Sequence, residues 1–203
     1  MKKSLSIMLA VLFSASLIVP VFAQEQDSAI ADLLSKRSTS HRAGQEYKTA
    51  PLSDKIIDLL MKAGFSAPTG GNQHSLNFYV ITERARMDVI RTGHPYSVAL
   101  QTAPCLVVIA GDEAKCKYPE LHEMDAGIAA MAMVVEATKL GLTTCVMSIF
   151  PQPERVNAVR ASVNIPKTMK PVLMVAFGYP ATDATTSASV TYYSGDQIHN
   201  NGR

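Results

Sequence analysis

Apolar positions along this chain fall into alternating helical and extended blocks. Ile30, Leu33 and Leu34 repeat at helical spacing behind Ser28, a capping residue, and predict a short helix over 28–36. Residues 36–50 are polar and irregular. Pro51 and Ser53 then open a stronger helix through Met61, carried by Ile56, Ile57, Leu60 and Ala63. It stops near Gly64. Beyond it, Pro68 pushes Ala67 towards extended backbone and Gly70-Gly71 favours a turn. Apolar runs at 78–81, 106–110 and 172–177 predict strands, and 142–150 reads as a strand or loop-strand. Residues 83–91 and 153–159 predict two more helices, and 92–104 is rich in loop signals. The longest helix is predicted over about 122–140. Ile128, Met131, Val134, Val135 and Thr138 share one side of it, and Ala and Gly make most of the remainder small. A helix apolar on nearly every side is expected to be buried on nearly every side. Four or five helices about a sheet of four or five strands make an α+β fold.

The start of the chain departs from this alternation. Lys2 and Lys3 precede an apolar block over 4–21, and Val21-Phe22-Ala23 closes it with small residues before Gln24. This is the three-part pattern of a secretory signal. A membrane anchor is the competing reading. Pro20, the small-residue exit and the polar turn at Gln24-Glu25-Gln26-Asp27 weigh against it. No Cys follows the block and no Arg pair precedes it, which disfavours lipid attachment and a twin-arginine route. The expectation is a signal peptide over 1–23 and one exported domain over 24–203, periplasmic or secreted, without a stable membrane anchor. The leader holds two Lys and no acid, so the remainder balances 17 basic against 17 acidic residues. Such a balance implies no face for nucleic acid.

Three cysteines follow. Cys105 and Cys145 lie in apolar surroundings and read as buried thiols, whereas Cys116 sits between Lys115 and Lys117 in a polar stretch. Their spacing matches no metal site.

Three polar clusters are candidates for chemistry. Lys36-Arg37-Ser38-Thr39-Ser40-His41-Arg42 offers cations and hydroxyls close together, as a phosphate requires, or an ordinary solvated loop. Ala67-Pro68-Thr69-Gly70-Gly71-Asn72-Gln73-His74-Ser75 has permissive backbone and amides suited to a heterocycle edge, or is a helix-to-strand turn. It is neither a P-loop nor a dinucleotide fingerprint. His122 lies among acids from Glu120 to Asp125; the spacing fits no metalloenzyme, and Asp125 is expected to cap the long helix. No hydrolytic triad or catalytic side chain is placed.

The order of these pieces resembles the nitroreductase family. Lys36-Arg37-Ser38-Thr39 follows the first helix, and Ala67-Pro68-Thr69-Gly70-Gly71-Asn72 follows the second. Asp125-Ala126-Gly127-Ile128-Ala129 opens the long helix, which runs out through Lys139-Leu140-Gly141-Leu142. Val175-Ala176-Phe177-Gly178-Tyr179-Pro180 comes last. The resemblance covers 28–203. It implies a central, mostly antiparallel sheet flanked by helices, in an intertwined homodimer with FMN between subunits. The tail from about 181 would then pack on the partner subunit. It implies that Lys36, Arg37 and Ser38 meet the phosphate and ribityl end, and that Asn72 meets the ring. Pro68, Thr69 and Gly70 would shape the loop beside it. Gly141, Leu142 and Thr143 would approach from the far side. Three departures stand out. Ser40 occupies a position usually basic, His74-Ser75-Leu76 replaces Gln-Pro-Trp, and Tyr192 and Tyr193 replace basic residues near the C terminus. Arg42 and Arg203 are the substitutes on offer for the missing basic residues, and His74 or Tyr96 is a candidate to assist protonation or gate access. The implied activity is ping-pong electron transfer from a reduced donor such as NAD(P)H to a nitroaromatic or quinone. No side chain need act as a nucleophile. The other reading is a flavin-binding or structural dimer without turnover.

Overall fold

The computed structural model describes residues 32–40, 46–181 and 197–199. The expected leader, Arg42, Tyr192, Tyr193, Arg203 and most of the C-terminal tail lie outside the described residues.

A four-stranded sheet is sandwiched between two helical layers. In chain order the main elements are α1 (Asp54–Phe65), β1 (Leu76–Ile81), α2 (Arg84–Gly93), β2 (Cys105–Asp112), α3 (His122–Lys139), β3 (Thr143–Ser148), α4 (Pro153–Ser162) and β4 (Met169–Gly178). The strands lie in the order β1-β2-β4-β3, and every neighbouring pair is antiparallel. This is the α+β architecture that the pattern predicts, with the central antiparallel sheet that the family resemblance implies.

β2 is buried along its whole length. Successive side chains point to opposite faces of a strand. Leu106, Val108 and Ala110 therefore pack with Met87 and Ile90 of α2 and Val159 of α4. Cys105, Val107 and Ile109 pack with Leu60 of α1 and Ala126, Ala130 and Met133 of α3. Cys105 and Cys145 are buried thiols, as expected. Burial pushes them up to about 12 and about 11 respectively. The pairing of β2 with β4 slips between Ile109 and Ala110, where Val172 is the extra residue. Its carbonyl accepts from Ile149 and Phe150, at 2.9 and 3.0 Å, and so pins the exit of β3. Pro171 stands next to this bulge, one of the few sheet positions that tolerate a missing N–H.

Two expectations about α3 are corrected. The helix is not buried on every side. Its small residues Ala126, Ala129, Ala130 and Ala137 face the sheet and α1, and Met124, Ile128 and Met131 are 52, 38 and 44% exposed. Inward-facing Ala lets the helix axis approach the sheet, and the bulkier side is left outward. Nor does Asp125 cap it. The helix begins at His122 without a side-chain cap, which places Asp125 inside the first turn. No helix of the described residues is long and apolar enough to cross a membrane.

Candidate functional site

The loop between α1 and β1 is held at both ends by buried side chains from the first turn of α3. The Asp125 carboxylate accepts from the Gly70 N–H at 2.8 Å, and His122 Nε2 meets Ser75 Oγ at 2.9 Å. Gly111 makes room for the imidazole, since a Cβ there would enter the ring. Between these anchors the backbone turns left-handed at Gly71, Asn72 and His74, with φ of 59, 55 and 48°. Asn72 and His74 hold this region without the freedom of glycine, so the loop is strained where it presents its side chains. His74 Nε2 meets Asn72 Oδ1 at 2.8 Å, and the His74 N–H donates to Thr69 Oγ1 at 3.1 Å. Pro68, Asn72 and His74 are exposed, and Thr69 and Gly70 half-buried.

The second candidate segment lies along β3. Thr39 forms a parallel bridge with Thr144. The Thr144 N–H donates to the Ser38 carbonyl at 3.3 Å, and the Ser40 N–H donates to the Thr144 carbonyl at 3.0 Å. Ser38 and Ser40 are buried, and the Ser40 hydroxyl is joined to that of Thr143 at 3.1 Å. Arg37 is half-buried. Lys36 is exposed and pairs with Asp32 at 2.6 Å, a contact worth little in solvent. α3 ends beside this segment. Gly141 turns left-handed with φ of 73°, and the Leu142 N–H returns to the Ala137 carbonyl at 2.9 Å. Leu142 and Thr143 are buried beneath.

A groove of about 550 Å³ begins at this segment. It runs from Thr39 past Val146, Met147 and Ser148 to His94, Pro95, Tyr96 and Arg155. The Thr144 peptide points away from β4, so strand alternation turns the Val146 and Ser148 peptides to the same open edge. Val146 is 52% exposed there. The Ser148 carbonyl meets His94 Nε2 at 2.8 Å and accepts from Arg155 Nη1 at 3.2 Å. None of Val146, Met147, Ser148 or Arg155 is legible as a site residue in the sequence. The one signal was the alternation within 142–150.

The two candidate segments do not come together within one chain. The loop carrying Asn72 feeds β1, Ser38 flanks β3, and these are opposite edges of the sheet. Asp125 and Lys139 are 14 residues apart, so α3 separates the two ends by about 21 Å.

Two buried imidazoles brace these regions, and both are held below their ordinary value chiefly by burial. Lys170 opposes the charge of His122 further, against Asp125, Glu113 and Glu123. Arg155 acts likewise on His94, against its bond to Ser148. Below about pH 6.5 the unfolded chain takes up protons at these positions that the folded chain resists. Their stabilising contribution is complete above that pH and falls as pH drops below it. Urea midpoints are expected to decline from pH 7 to pH 5, and His122→Gln to decline less. Parallel pH curves for the two proteins would refute this role for His122.

Comparison with known proteins agrees with this arrangement. The family model described as the nitroreductase family matches residues 91–179. A Methanothermobacter thermautotrophicus protein, provisionally named NADH dehydrogenase/NAD(P)H nitroreductase, is 25% identical over 160 residues, covering 79% of this chain and 82% of its own length. A crystal structure from Parabacteroides distasonis with the same provisional name aligns at a TM-score of 0.77 and 25% identity, covering 86% of this chain and 99% of that one. A Desulfovibrio desulfuricans protein, provisionally named a nitroreductase and solved with FMN, aligns at 0.64 and 21% identity, covering 78% and 90%. The two polar segments, the helix that separates them and these likenesses point one way: residues 91–179 match the nitroreductase family, and the chain is similar over most of its length to proteins that carry that name.

Proposed function

We propose that this chain is an FMN-dependent oxidoreductase that works as a two-fold dimer. One observation carries the dimer. The two ligand-like segments sit at opposite ends of α3, and the outward side of that helix between them is an apolar stripe of Met124, Ile128 and Met131, continued by half-buried Val135. A two-fold axis near Met131 would set two α3 helices antiparallel. Each Asn72 loop would then face the Ser38 segment of the other copy. An exposed stripe of this kind marks an interaction surface.

The residues fit FMN. Lys36 and Arg37 supply positive charge for a phosphate, beside the Ser38 segment. The strained turn projects Asn72, whose Oδ1 meets His74 Nε2 at 2.8 Å and whose Nδ2 faces outward as a donor for a ligand. The open edge of β3 at Val146 offers backbone hydrogen bonds to the rim of a flat ring, while the Ser148 carbonyl beyond it is taken by His94 and Arg155. Family likeness and the FMN found with the Desulfovibrio relative support the same cofactor. Bound FMN supplies two-electron chemistry, with hydride from a donor such as NAD(P)H and delivery to a nitroaromatic or quinone. The chain binds, orients and shields; none of its side chains forms a covalent bond in this scheme. We also propose export through the leader over 1–23.

The test is a visible spectrum of the protein purified from the exported fraction, before and after added FMN and gel filtration. Flavin is expected to stay bound, and Asn72→Ala to weaken retention by about tenfold through loss of one hydrogen bond to the ligand. The intact mass is expected to correspond to a chain starting at Gln24. A colourless protein after FMN addition would remove the flavin reading. Bound flavin that neither NADH nor NADPH reduces, and that passes no electrons from dithionite to quinone, would leave a binding dimer without turnover.

A further inference from the structure

We propose that Arg155, with Tyr96 beside it, forms an anion subsite at the outer end of the groove. The electron acceptor is then a flat aromatic or quinonoid molecule that carries a carboxylate or similar anionic group. This inference rests on the oxidoreductase reading above and adds the substrate class.

The charge of Arg155 is not cancelled locally. Its Nη1 donates to the Ser148 carbonyl at 3.2 Å and to the Ser148 hydroxyl at 2.7 Å. Both acceptors are neutral. No ion pair among the described residues involves Arg155. The adjoining groove of about 480 Å³ holds Glu154 and Arg91, and Arg91 is paired with Asp88 at 3.2 Å. The Arg155 charge is felt inside the protein, where it adds to burial in disfavouring a charged His94.

The guanidinium is also held in place. Ser148 takes one arm, and the Tyr96 ring lies 5.4 Å from the central carbon. Its other N–H groups remain to meet a carboxylate as a fork. A group fixed before binding loses little entropy when the ligand arrives. Tyr96 is 70% exposed although its ring is large and apolar. It offers an aromatic edge or face to the ring that bears the anion. The same groove reaches Val146 and Thr39 at its other end. One molecule lying along it would therefore put its anion on Arg155 and its ring towards the cofactor end.

Two ligands of the same shape separate charge from ring. The flavin-loaded protein is titrated calorimetrically with 4-nitrobenzoate and with 4-nitrobenzamide. The dithionite-reduced protein is mixed anaerobically with each, and flavin reoxidation is followed. We expect the carboxylate to bind about tenfold more tightly than the amide, the gain of one charge-assisted contact. Arg155→Gln is expected to abolish that preference. Arg155→Lys should keep part of it, because charge remains and the fork is lost. Tyr96→Ala should weaken both ligands alike. Raising the salt concentration should erode the preference of the unaltered protein, a measurement that needs no variant if Arg155→Gln fails to fold. Equal binding of the two ligands by the unaltered protein overturns the proposal. So does a preference that survives in Arg155→Gln while the flavin midpoint potential shifts, which would assign the arginine to the flavin. If no flavin is retained but the carboxylate preference persists, the cofactor reading fails and the subsite stands.

Discussion

Met131→Asp is expected to purify as a monomer and to lose its flavin in the same step. The unaltered side chain is 44% exposed in the isolated chain and lies on the outward stripe of α3. It belongs to neither core cluster, so the substitution is expected to leave the fold intact. At a two-fold axis, however, each copy meets its own equivalent. Two carboxylates would then be pressed together out of water, and each buried ion costs several kcal/mol. A penalty of about 4 kcal/mol weakens association roughly a thousandfold. Flavin retention should fall with it, because the Asn72 loop and the Ser38 segment lie at opposite edges of the sheet in one chain, at ends of α3 that are about 21 Å apart. Sedimentation velocity and the 450 nm region of the spectrum, measured on one preparation, report both effects. Met131→Leu is the control and should remain a yellow dimer. A monomeric Met131→Asp that still holds flavin would show that one chain completes the site alone. A dimeric one would place the interface elsewhere.

The second large effect is expected from Phe177→Ala, at about 3–5 kcal/mol of stability. Phe177 is fully buried on the face of the sheet that packs against α1 and α3. It pairs in register with Cys105 on β2 and with Thr144 on β3. Removing the ring leaves a cavity in the middle of a β-sheet, where backbone on both sides resists collapse. A loss of that size is a large fraction of the roughly 5–15 kcal/mol that keeps a domain folded. Urea unfolding is best measured without flavin, since a ligand that binds only the native state masks part of the change. A loss below about 1 kcal/mol would mean that neighbouring side chains refill the space. The Thr144 peptide, which holds the Ser38 segment, lies next to this ring. A less cooperative transition in the variant would mark that segment as the first to come loose.

Much of the fold was legible along the chain. The run at 106–110 stood out because β2 is covered on both faces, so every position selects for apolar residues. The first strong helix was legible because Ser53 caps it, accepting from Ile56 at 3.4 Å, and its apolar residues repeat on one face. The turn at 70–74 announced itself through Gly70-Gly71. Its left-handed stretch also takes in Asn72 and His74, which local preference alone does not require. Strand ends were read too short at β4, predicted over 172–177 but running Met169–Gly178, with Pro171 accommodated beside a bulge.

Other features had no local trace. Asp125 looked like a cap because carboxylates favour the start of a helix. The true start lies three residues earlier, and Asp125 is turned to the Gly70 amide 55 positions away. Arg155 and His94 converge on the Ser148 carbonyl from different elements, and nothing in the spacing of 94, 148 and 155 encodes that meeting.

By itself, then, the amino-acid order determined the elements, their succession and the two polar segments suited to a ligand. Each of these rests on backbone preference and on periodicity over a few residues. Which side of α3 faces inward, and that the two segments lie on opposite edges of the sheet, were decided only by the tertiary structure. Periodicity gives a helix a direction only when one side contrasts with the other, and α3 is apolar or small almost all round. Its orientation was left to packing, in which the Ala side admits the closer approach to the sheet and the Met and Ile side is turned out.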